Sequence, residues 1–444
     1  QAEDGIRDVE RSRGLGDVYK RQIRNIAEYE PMQGVLIRYP FGISTSLIRE
    51  MAEDVVIYCL VSSNQQSSAY NSMNNADVDM NNVEFIIGST DSYWTRDYGP
   101  WWVVDGNGDI GIVDFTYNRP RPNDNAAPYK VSQHLDVPYF SADVVSTGGN
   151  YMTDGNGIAA ATQIAYTENS QCGTNDQSSV PLSPCAYVDN IMYDYYGIDT
   201  YHVVADPNDE YIDHIDCWGK YLSPSRMLIR EVPISHPQYN EIEEVATYFE
   251  NTLTASGTEW EVFRVYTPND QPYTNSLILN NKVFVPIMNS QWDDDALEVY
   301  QAAMPDHEIL GFTGSWQSTD ALHCRVKGIP DLTYTSYVDG DVNMDDSIDV
   351  LDVVLLVNFV LGAVEASSTQ IQIGDSNDDG ILNILDVIMM RDFIVGTNIF
   401  SDVQVCQADV NFDGFENLEA AVTCLLYTSP SPRDLSTSRM PSSA

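Results

Sequence analysis

Short apolar runs alternate with helical patterns between residues 23 and 335. The runs predict β-strands over Gly34–Arg38, Val55–Val61, Val83–Ile87, Trp101–Val104, Ile110–Phe115, Met227–Arg230, Ser276–Leu279 and Val283–Ile287. Helical spacing of apolar residues predicts helices over Ser46–Glu53, Glu241–Thr254 and Asp293–Ala303. Asp-Gly-Asn-Gly sequences at 105–108 and 154–157 are typical of hairpin turns. The pattern predicts an α/β region of about 310 residues.

The pattern changes after residue 338. Acidic segments begin at Asp341, Asp375 and Asp409, a constant spacing of 34 residues that indicates tandem repeats. A twelve-residue loop that offers oxygen atoms at positions 1, 3, 5, 7, 9 and 12 suits Ca²⁺, with a backbone carbonyl at position 7, which is Ser347 or Ile381 here. The predicted calcium ligands are Asp341, Asn343, Asp345, Asp349 and Asp352 in the first loop and Asp375, Asn377, Asp379, Asn383 and Asp386 in the second. The third repeat has Ala420 at position 12, and a solvated acidic linker is the alternative interpretation.

These loops carry Asp at position 12 and follow no helical pattern, and in this they resemble dockerin-type calcium repeats. The resemblance covers about 80 residues, with 339–421 as the repeat domain. It implies a small helical domain that binds Ca²⁺ and a cohesin-like or cell-surface partner.

The net charge of the chain limits the kinds of ligand that we expect it to bind. The chain has 22 Lys and Arg against 66 Asp and Glu, a net charge of −44, which argues against nucleic acid and favours cationic ligands. No run reaches about 18 apolar residues, so we expect no membrane span. Residues 1–22 mix both charges without periodicity, and residues 425–444 are Ser/Pro-rich and basic. Both resemble translated adaptor sequence, and we interpret them as non-native tails. An ordinary disordered tail at each end is the alternative interpretation.

The seven cysteines match no zinc-binding spacing. Cys172 and Cys185 flank a polar loop that a disulfide would close in a secreted protein, and the sequence leaves open whether they pair. An odd number of cysteines leaves at least one free thiol.

Three segments carry candidate chemistry: residues 93–102 with Asp97, residues 213–220 with His214 and Asp216, and residues 320–325 with Cys324. On a strand, positions i and i+2 share a face, so His214 and Asp216 are expected to line one pocket. Each residue also has a structural explanation. Cys324 could be a buried structural thiol. His214 and Asp216 could be a polar pair or two metal ligands, and Asp97 could form an ion pair with Arg96.

A pocket that combines a thiol, an imidazole and two carboxylates suits one class of ligand. Two carboxylates repel each other unless a cation lies between them, and a planar guanidinium pairs with carboxylates through two N–H groups. A thiolate can then attack its central carbon while the imidazole protonates the departing ammonia. The set predicts a guanidine hydrolase that needs no catalytic cofactor.

Together, the three segments resemble the bacterial agmatine deiminase and peptidylarginine deiminase family over about residues 28–335. The resemblance implies the pentein α/β-propeller fold, with five ββαβ-type units around a central active site, and a catalytic domain over 23–335. It implies that Cys324 is the nucleophile, His214 the general acid and base, and Asp97 and Asp216 the guanidinium clamps. Asn275 matches an active-site asparagine of the family, and residues 148–150 match its Gly-Gly-Asn signature.

Two arginines bear on the part of the substrate beyond its guanidinium group, the substrate tail. Arg119 and Arg121, set between prolines, suit a substrate with a carboxylate, and the segment is similar to the carboxylate-binding loop of secreted bacterial peptidylarginine deiminases. Trp94 and Tyr211 match pocket walls there. We therefore expect a secreted or cell-surface enzyme that acts on arginine in peptides or proteins, most of all C-terminal arginine. The alternatives are an agmatine deiminase and a non-catalytic calcium-dependent adhesion or scaffold-binding module.

Overall fold

The computed structural model describes residues 23–105, 108–173, 178–255, 257–333, 342–343, 348–364, 366, 368–376 and 382–395. The chain separates between residues 334 and 335 into two compact units. In the described parts of the chain, no helix is both long enough and apolar enough to cross a bilayer.

The first unit contains seventeen described strands in five separate sheets. The strands are β1 (Arg24–Asn25), β2 (Met32–Arg38), β3 (Val56–Val61), β4 (Val83–Ile87), β5 (Trp101–Val104), β6 (Ile110–Tyr117), β7 (Tyr139–Ser146), β8 (Met152–Thr153), β9 (Ile158–Thr162), β10 (Thr200–Val204), β11 (Gly219–Tyr221), β12 (Arg226–Glu231), β13 (Glu261–Tyr266), β14 (Leu277–Leu279), β15 (Lys282–Ile287), β16 (Glu308–Thr313) and β17 (Lys327–Pro330). The sheet orders are β1-β5-β6-β7, β8-β9-β10, β11-β12-β13, β14-β15-β16 and β17-β2-β3-β4.

One pairing rule recurs in all five sheets. A leading strand (β5, β8, β11, β14 or β17) pairs antiparallel with the next strand of its sheet, and that strand pairs parallel with a third. The fifth sheet joins the two ends of the unit, because β17 pairs with β2. Helices fill the long parallel connections, as the crossover geometry requires. The α/β class is confirmed, and the arrangement of the five sheets as a propeller stays a prediction.

The helices are α1 (Thr45–Met51), α2 (Gln66–Asn74), α3 (Pro122–Asn125), α4 (Ala127–Leu135), α5 (Ile164–Thr167), α6 (Ala186–Tyr196), α7 (Tyr239–Glu250), α8 (Asp293–Ala303), α9 (Val350–Val360), α10 (Ser368–Gly374) and α11 (Ile384–Val395). Amphipathic spacing places them against the sheets. In α7, for example, Ile242, Val245, Ala246 and Phe249 are buried at positions i, i+3, i+4 and i+7.

Each of the eight predicted strands overlaps an observed one (β2 to β6, β12, β14 and β15), and nine of the seventeen described strands lie outside the predicted ranges. The alanine-rich β9 is one of these nine, because Ala159 to Ala161 have none of the branched side chains typical of strands. The predicted helix over Glu241–Thr254 ends at Glu250, and Leu253 instead forms an antiparallel bridge with Glu259. Both predicted hairpins join antiparallel strands, β5 with β6 and β8 with β9.

Cys172 and Cys185 form a disulfide that joins a short 3₁₀-helix (Ser170–Cys172) to the start of α6. Among the cysteines that the structure describes, Cys59, Cys217 and Cys324 keep free thiols.

The second unit has its own core. Val342, Leu356, Phe359, Val387 and Met390 are buried together, so that α9 and α11 pack against each other. The two helices begin in the same way. Asp349 and Asn383, 34 residues apart, each accept a hydrogen bond from the backbone N–H two residues on.

Candidate active site

The candidate side chains lie on the turns that precede the leading strands of the five sheets. Asp97 precedes β5, Asn150 precedes β8, Asp216 precedes β11, Asn275 precedes β14 and Cys324 precedes β17. Three of these turns are short 3₁₀-helices, Gly148–Asn150, Ile215–Cys217 and His323–Arg325. Segments far apart in sequence therefore supply one site, and each is fixed by the strand that follows it.

The prediction that His214 and Asp216 lie on a strand is wrong. His214 is the residue before the 3₁₀-helix Ile215–Cys217, and β11 begins only at Gly219. The turn forms because the backbone N–H of Cys217 bonds back to the carbonyl of His214, which alternating strand geometry would prevent. Both side chains are nevertheless buried, and the charge of Asp216 acts on the pKa of His214.

Cys324 is buried and contacts two of the predicted residues. The side-chain amide of Asn275 donates to its sulfur at 3.2 Å, and the Asn275 carbonyl accepts from the Cys324 backbone N–H at 3.3 Å. The sulfur lies 3.7 Å from Oδ2 of Asp216. The thiol and one carboxylate of the predicted clamp are therefore in direct contact.

His214 and Asp97 form the other side of the pocket. Nδ1 of His214 lies 3.8 Å from Oδ1 of Asp97, and both side chains are almost fully buried. Neither of these two atoms, nor Nε2 of His214, has a hydrogen-bond partner among the described residues. These buried polar atoms suit a ligand that donates N–H groups.

The Gly-Gly-Asn signature has a steric explanation. A Cβ atom on Gly149 would lie 2.5 Å from Nδ1 of His214 and 2.7 Å from Oδ1 of Asp97, so only glycine lets these two side chains approach. Asn150 fixes the neighbouring turn, because its side-chain oxygen Oδ1 accepts hydrogen bonds from the backbone N–H groups of Thr162 and Ile215.

Burial sets the charge states. Burial and the charge of Asp216 raise the pKa of Asp97 well above the ordinary value of a carboxyl group. Burial, with Asp216 and Asp97 nearby, likewise raises the pKa of the Cys324 thiol. Burial lowers the pKa of His214 to about 4. Without a ligand, the thiol and the imidazole are therefore both neutral, and a cation between the carboxylates would favour the thiolate.

The sequence predicted no role for His323 and Glu28, which form a buried cluster next to Asp216. Burial opposes ionisation of Asp216, but the hydrogen bond and charge of His323, together with the charges of His214 and Arg96, hold the pKa of Asp216 below its usual value. His323 also contacts Glu28, which pairs with Arg96 and Lys220. The signal that could have revealed this cluster is a histidine directly before the candidate nucleophile.

The predicted tail-binding residues lie beside the Asp97 turn. The guanidinium of Arg121 stacks over the ring of Trp94 at 4.4 Å, and Nη1 of Arg119 lies 3.8 Å from Glu168. The charges of both arginines oppose part of the rise that burial and Asp216 cause in the pKa of Asp97, so both guanidinium groups act on this carboxylate. Tyr211, by contrast, is 84% exposed and forms no buried wall of the pocket.

Several predicted calcium ligands, Asp341, Asp345, Asn377 and Asp379, lie outside the described residues. Of the others, Asp352 and Asp386 are buried, and each accepts a hydrogen bond from the backbone N–H three residues before it. No group of three or more Cys, His, Asp or Glu suited to a metal ion occurs within the part of the chain that the structure describes. The calcium sites stay a prediction.

Solved structures share this fold. A putative arginine deiminase from Porphyromonas gingivalis matches with a TM-score of 0.60 at 16% identity, over 70% of this chain and 98% of the other. The agmatine deiminase of Enterococcus faecalis matches with a TM-score of 0.60 at 19% identity, over 70% and 97%. The first unit therefore has the α/β fold of pentein-type deiminases.

A sequence model of the Porphyromonas-type peptidyl-arginine deiminase family matches residues 24–330. The chain belongs to this family. Curated relatives include a putative agmatine deiminase of Mycoplasma capricolum, 27% identical over 51% of this chain and 71% of the relative, and the agmatine deiminase of Pseudomonas putida, 24% identical over 53% and 73%.

Proposed function

We propose that the protein is a protein-arginine deiminase that hydrolyses the guanidinium group of peptide arginine, most of all C-terminal arginine, to citrulline and ammonia. The observation that carries this proposal is the contact of Cys324 with Asp216, a buried carboxylate whose charge also acts on the pKa values of Asp97 and His214. Family membership supports a deiminase, and the five repeated sheets support the pentein propeller as its framework.

The charges suggest how the reaction proceeds. The guanidinium lies between Asp97 and Asp216, and its positive charge offsets the carboxylates that hold the thiol neutral. The thiol proton passes to neutral His214, and the thiolate sulfur bonds to the guanidinium carbon. His214 then gives this proton to the nitrogen whose C–N bond breaks, so ammonia leaves. Water then adds to the carbon. One of its protons passes through His214 to the sulfur as the C–S bond breaks, which restores the thiol, and the other leaves the new hydroxyl as the ureido carbonyl forms and converts the released ammonia to ammonium.

Arg119 and Arg121 support a substrate that carries a carboxylate beyond its guanidinium group. Two cationic groups beside the pocket favour a substrate carboxylate and disfavour the second amine of agmatine. Arg121 is held against Trp94, whereas Arg119 lies near Glu168, which offsets part of its charge.

Replacing Arg121 by alanine is expected to lower kcat/KM about 10- to 100-fold for a peptide that ends in arginine, the usual worth of a charge-assisted hydrogen bond. The same variant should leave agmatine, and the same peptide with an amidated C-terminus, within about threefold of wild type, because neither presents a carboxylate. Citrulline and ammonia release measure each rate.

Arg226→Ala is the matched control for this test, because Arg226 forms a half-exposed ion pair with Glu261 and has no place in the pocket. It should change none of the rates. Equal loss on all three substrates for Arg121→Ala would contradict the carboxylate assignment, and faster wild-type turnover of agmatine would favour the agmatine deiminase alternative that the curated relatives' names suggest.

The third alternative, a non-catalytic adhesion module, predicts no ammonia release from any arginine compound. The intact Cys, His and Asp side chains in one pocket argue against it.

We also propose that the second unit is a dockerin-like domain that binds Ca²⁺ and a cohesin-like or cell-surface partner. Asp352 and Asp386 would supply buried carboxylate oxygens at equivalent positions of the two repeats, a hard donor that suits Ca²⁺. Exposed apolar side chains also recur 34 residues apart, Val350 with Ile384 and Leu351 with Leu385, and they suit a protein partner. The disulfide supports a secreted or cell-surface location.

Adding Ca²⁺ is expected to raise the melting temperature of the repeat unit, because ligand binding to the folded state stabilises it by about 3 kcal/mol at a hundredfold excess over Kd. Circular dichroism in Ca²⁺, in Mg²⁺ as the control, and in a chelator measures the effect. Deiminase activity should not change. Loss of activity on chelation while the first unit stays folded would contradict the separation of the two functions.

A further inference from the structure

His323 links the candidate clamp to a buried charged cluster. Its Nδ1 lies 2.7 Å from Oδ2 of Asp216, and its Nε2 lies 2.6 Å from Oε2 of Glu28. The imidazole is 4% exposed. It precedes Cys324 directly, yet the reaction described above uses neither of its nitrogens.

Glu28 is a firm anchor for this contact. Its carboxylate lies 2.6 Å from Nη2 of Arg96 and 2.6 Å from Nζ of Lys220, and it accepts from the backbone N–H of Ile278 at 3.0 Å. Arg96 in turn precedes Asp97, and its backbone N–H donates to the carbonyl of Cys324. The cluster therefore ties together the turns before β5, β11 and β17.

The short distances fix how many protons Glu28, His323 and Asp216 hold between them. An unprotonated ring nitrogen and a carboxylate oxygen repel each other at 2.6–2.7 Å, so each contact needs a proton between its two atoms. Glu28, His323 and Asp216 therefore share two protons and carry one net negative charge. The Asp216 oxygen that contacts His323, Oδ2, is also the oxygen that contacts the sulfur of Cys324.

We propose that His323 is a positioning residue for the deiminase reaction. It fixes the carboxylate of Asp216 against the guanidinium and the thiol, and Glu28 holds it in that orientation. The proposal rests on the proposed function, because it assigns His323 a task in the same site. If the contact with Asp216 were lost, the carboxylate could rotate away from both the substrate and the sulfur.

Two substitutions separate the two contacts of the ring. In His323→Asn the amide nitrogen takes the place of Nδ1 and can still donate to Asp216. In His323→Gln the amide nitrogen takes the place of Nε2 and reaches Glu28 only. We expect kcat of the Gln variant to fall about 100-fold with little change in KM, and that of the Asn variant to fall less than about tenfold.

The pH profile is the readout that a merely structural role would not move. Since His323 lowers the pKa of Asp216, loss of the contact should add a second ionisation to the acidic limb of kcat/KM, beside the one that Asp97 sets in the wild type, and so steepen that limb or move it to higher pH in the Gln variant and less in the Asn variant. His202→Gln is the matched control, a buried histidine that contacts Tyr248. It should leave the profile unchanged. Equal losses in both His323 variants with an unmoved acidic limb would overturn the proposal.

Alkylation of Cys324 tests the same geometry without a substrate. Chloroacetamidine carries an amidinium head that the carboxylates can hold, whereas chloroacetamide is neutral. Wild-type protein should prefer the amidine, and the Gln variant should lose most of that preference by mass spectrometry of the Cys324 peptide. If no guanidine substrate is hydrolysed but this preference exists and depends on His323, the proposed function fails and the positioning role stands. A preference that is identical in wild type and the Gln variant would overturn the role.

A measurement on the wild type covers the case in which the variants do not fold. Burial acts to lower the pKa of His323, whereas a carboxylate oxygen 2.6–2.7 Å from each ring nitrogen favours a proton on both. In protein labelled with ¹⁵N-histidine, we therefore expect both ring nitrogens of His323 to carry slowly exchanging N–H groups at neutral pH. Fast exchange or an ordinary titration would overturn the proposal.

Discussion

Replacing Cys324 by serine is expected to lower turnover of arginine substrates at least about 10⁴-fold, because a hydroxyl forms an anion far less readily than a thiol and no other described thiol has the same contacts. Asn275 and Asp216 hold the sulfur on two sides, so the variant should fold with the wild-type melting temperature within a few degrees. Ammonia release gives the rate, and intact-mass spectrometry should show a covalent adduct with slow substrates for wild type only.

Cys59→Ser is the control for this variant, since it makes the same chemical change at a buried position in β3. It can cost stability, but it should leave kcat within about threefold of wild type. Retained activity in Cys324→Ser would mean that the assigned nucleophile is wrong, whatever the substrate.

Replacing Asp97 by asparagine is expected to lower kcat/KM about 10³-fold, which corresponds to the roughly 3–5 kcal/mol cost of removing one partner of a buried charge pair. The substitution is nearly isosteric and keeps an acceptor near His214, so the loss should come from the missing charge on the guanidinium clamp. Rates with an arginine peptide and with agmatine should fall together, because both present the same head group.

The pH dependence makes this prediction more specific. Because the pKa of Asp97 is raised in the free protein, the ionised clamp is lost as the pH falls through that raised value, and kcat/KM should decline on the acid side earlier than for an ordinary aspartate. The Asn variant should lack that step. Asp114→Asn, at a buried aspartate whose pKa is about 6 and whose partner is Tyr139, is the control and should keep both rate and profile. An unchanged acid limb in Asp97→Asn would contradict the assignment.

The three segments around Asp97, His214 and Asp216, and Cys324 were enough to predict the class of chemistry. Few reactions use a thiol, an imidazole and two carboxylates together. Their local structure was harder to predict. The strand expected at His214 and Asp216 is a 3₁₀-turn, since backbone hydrogen bonds within the turn override the alternation that the residue spacing suggested. Tyr211 resembles a pocket residue in sequence, but in the structure it is exposed.

The amino-acid order by itself determined the α/β class, the positions of eight strands, the 34-residue spacing of the acidic segments and the residue types of the site. These features are local: periodicity, spacing and composition are written in neighbouring positions. Only the tertiary structure decided that turns from five sheets converge, that Gly149 permits the approach of His214 to Asp97, and that His323 joins Asp216 to Glu28. Such contacts join residues as many as 295 positions apart, and their geometry depends on how the sheets pack, which no short segment of the sequence contains.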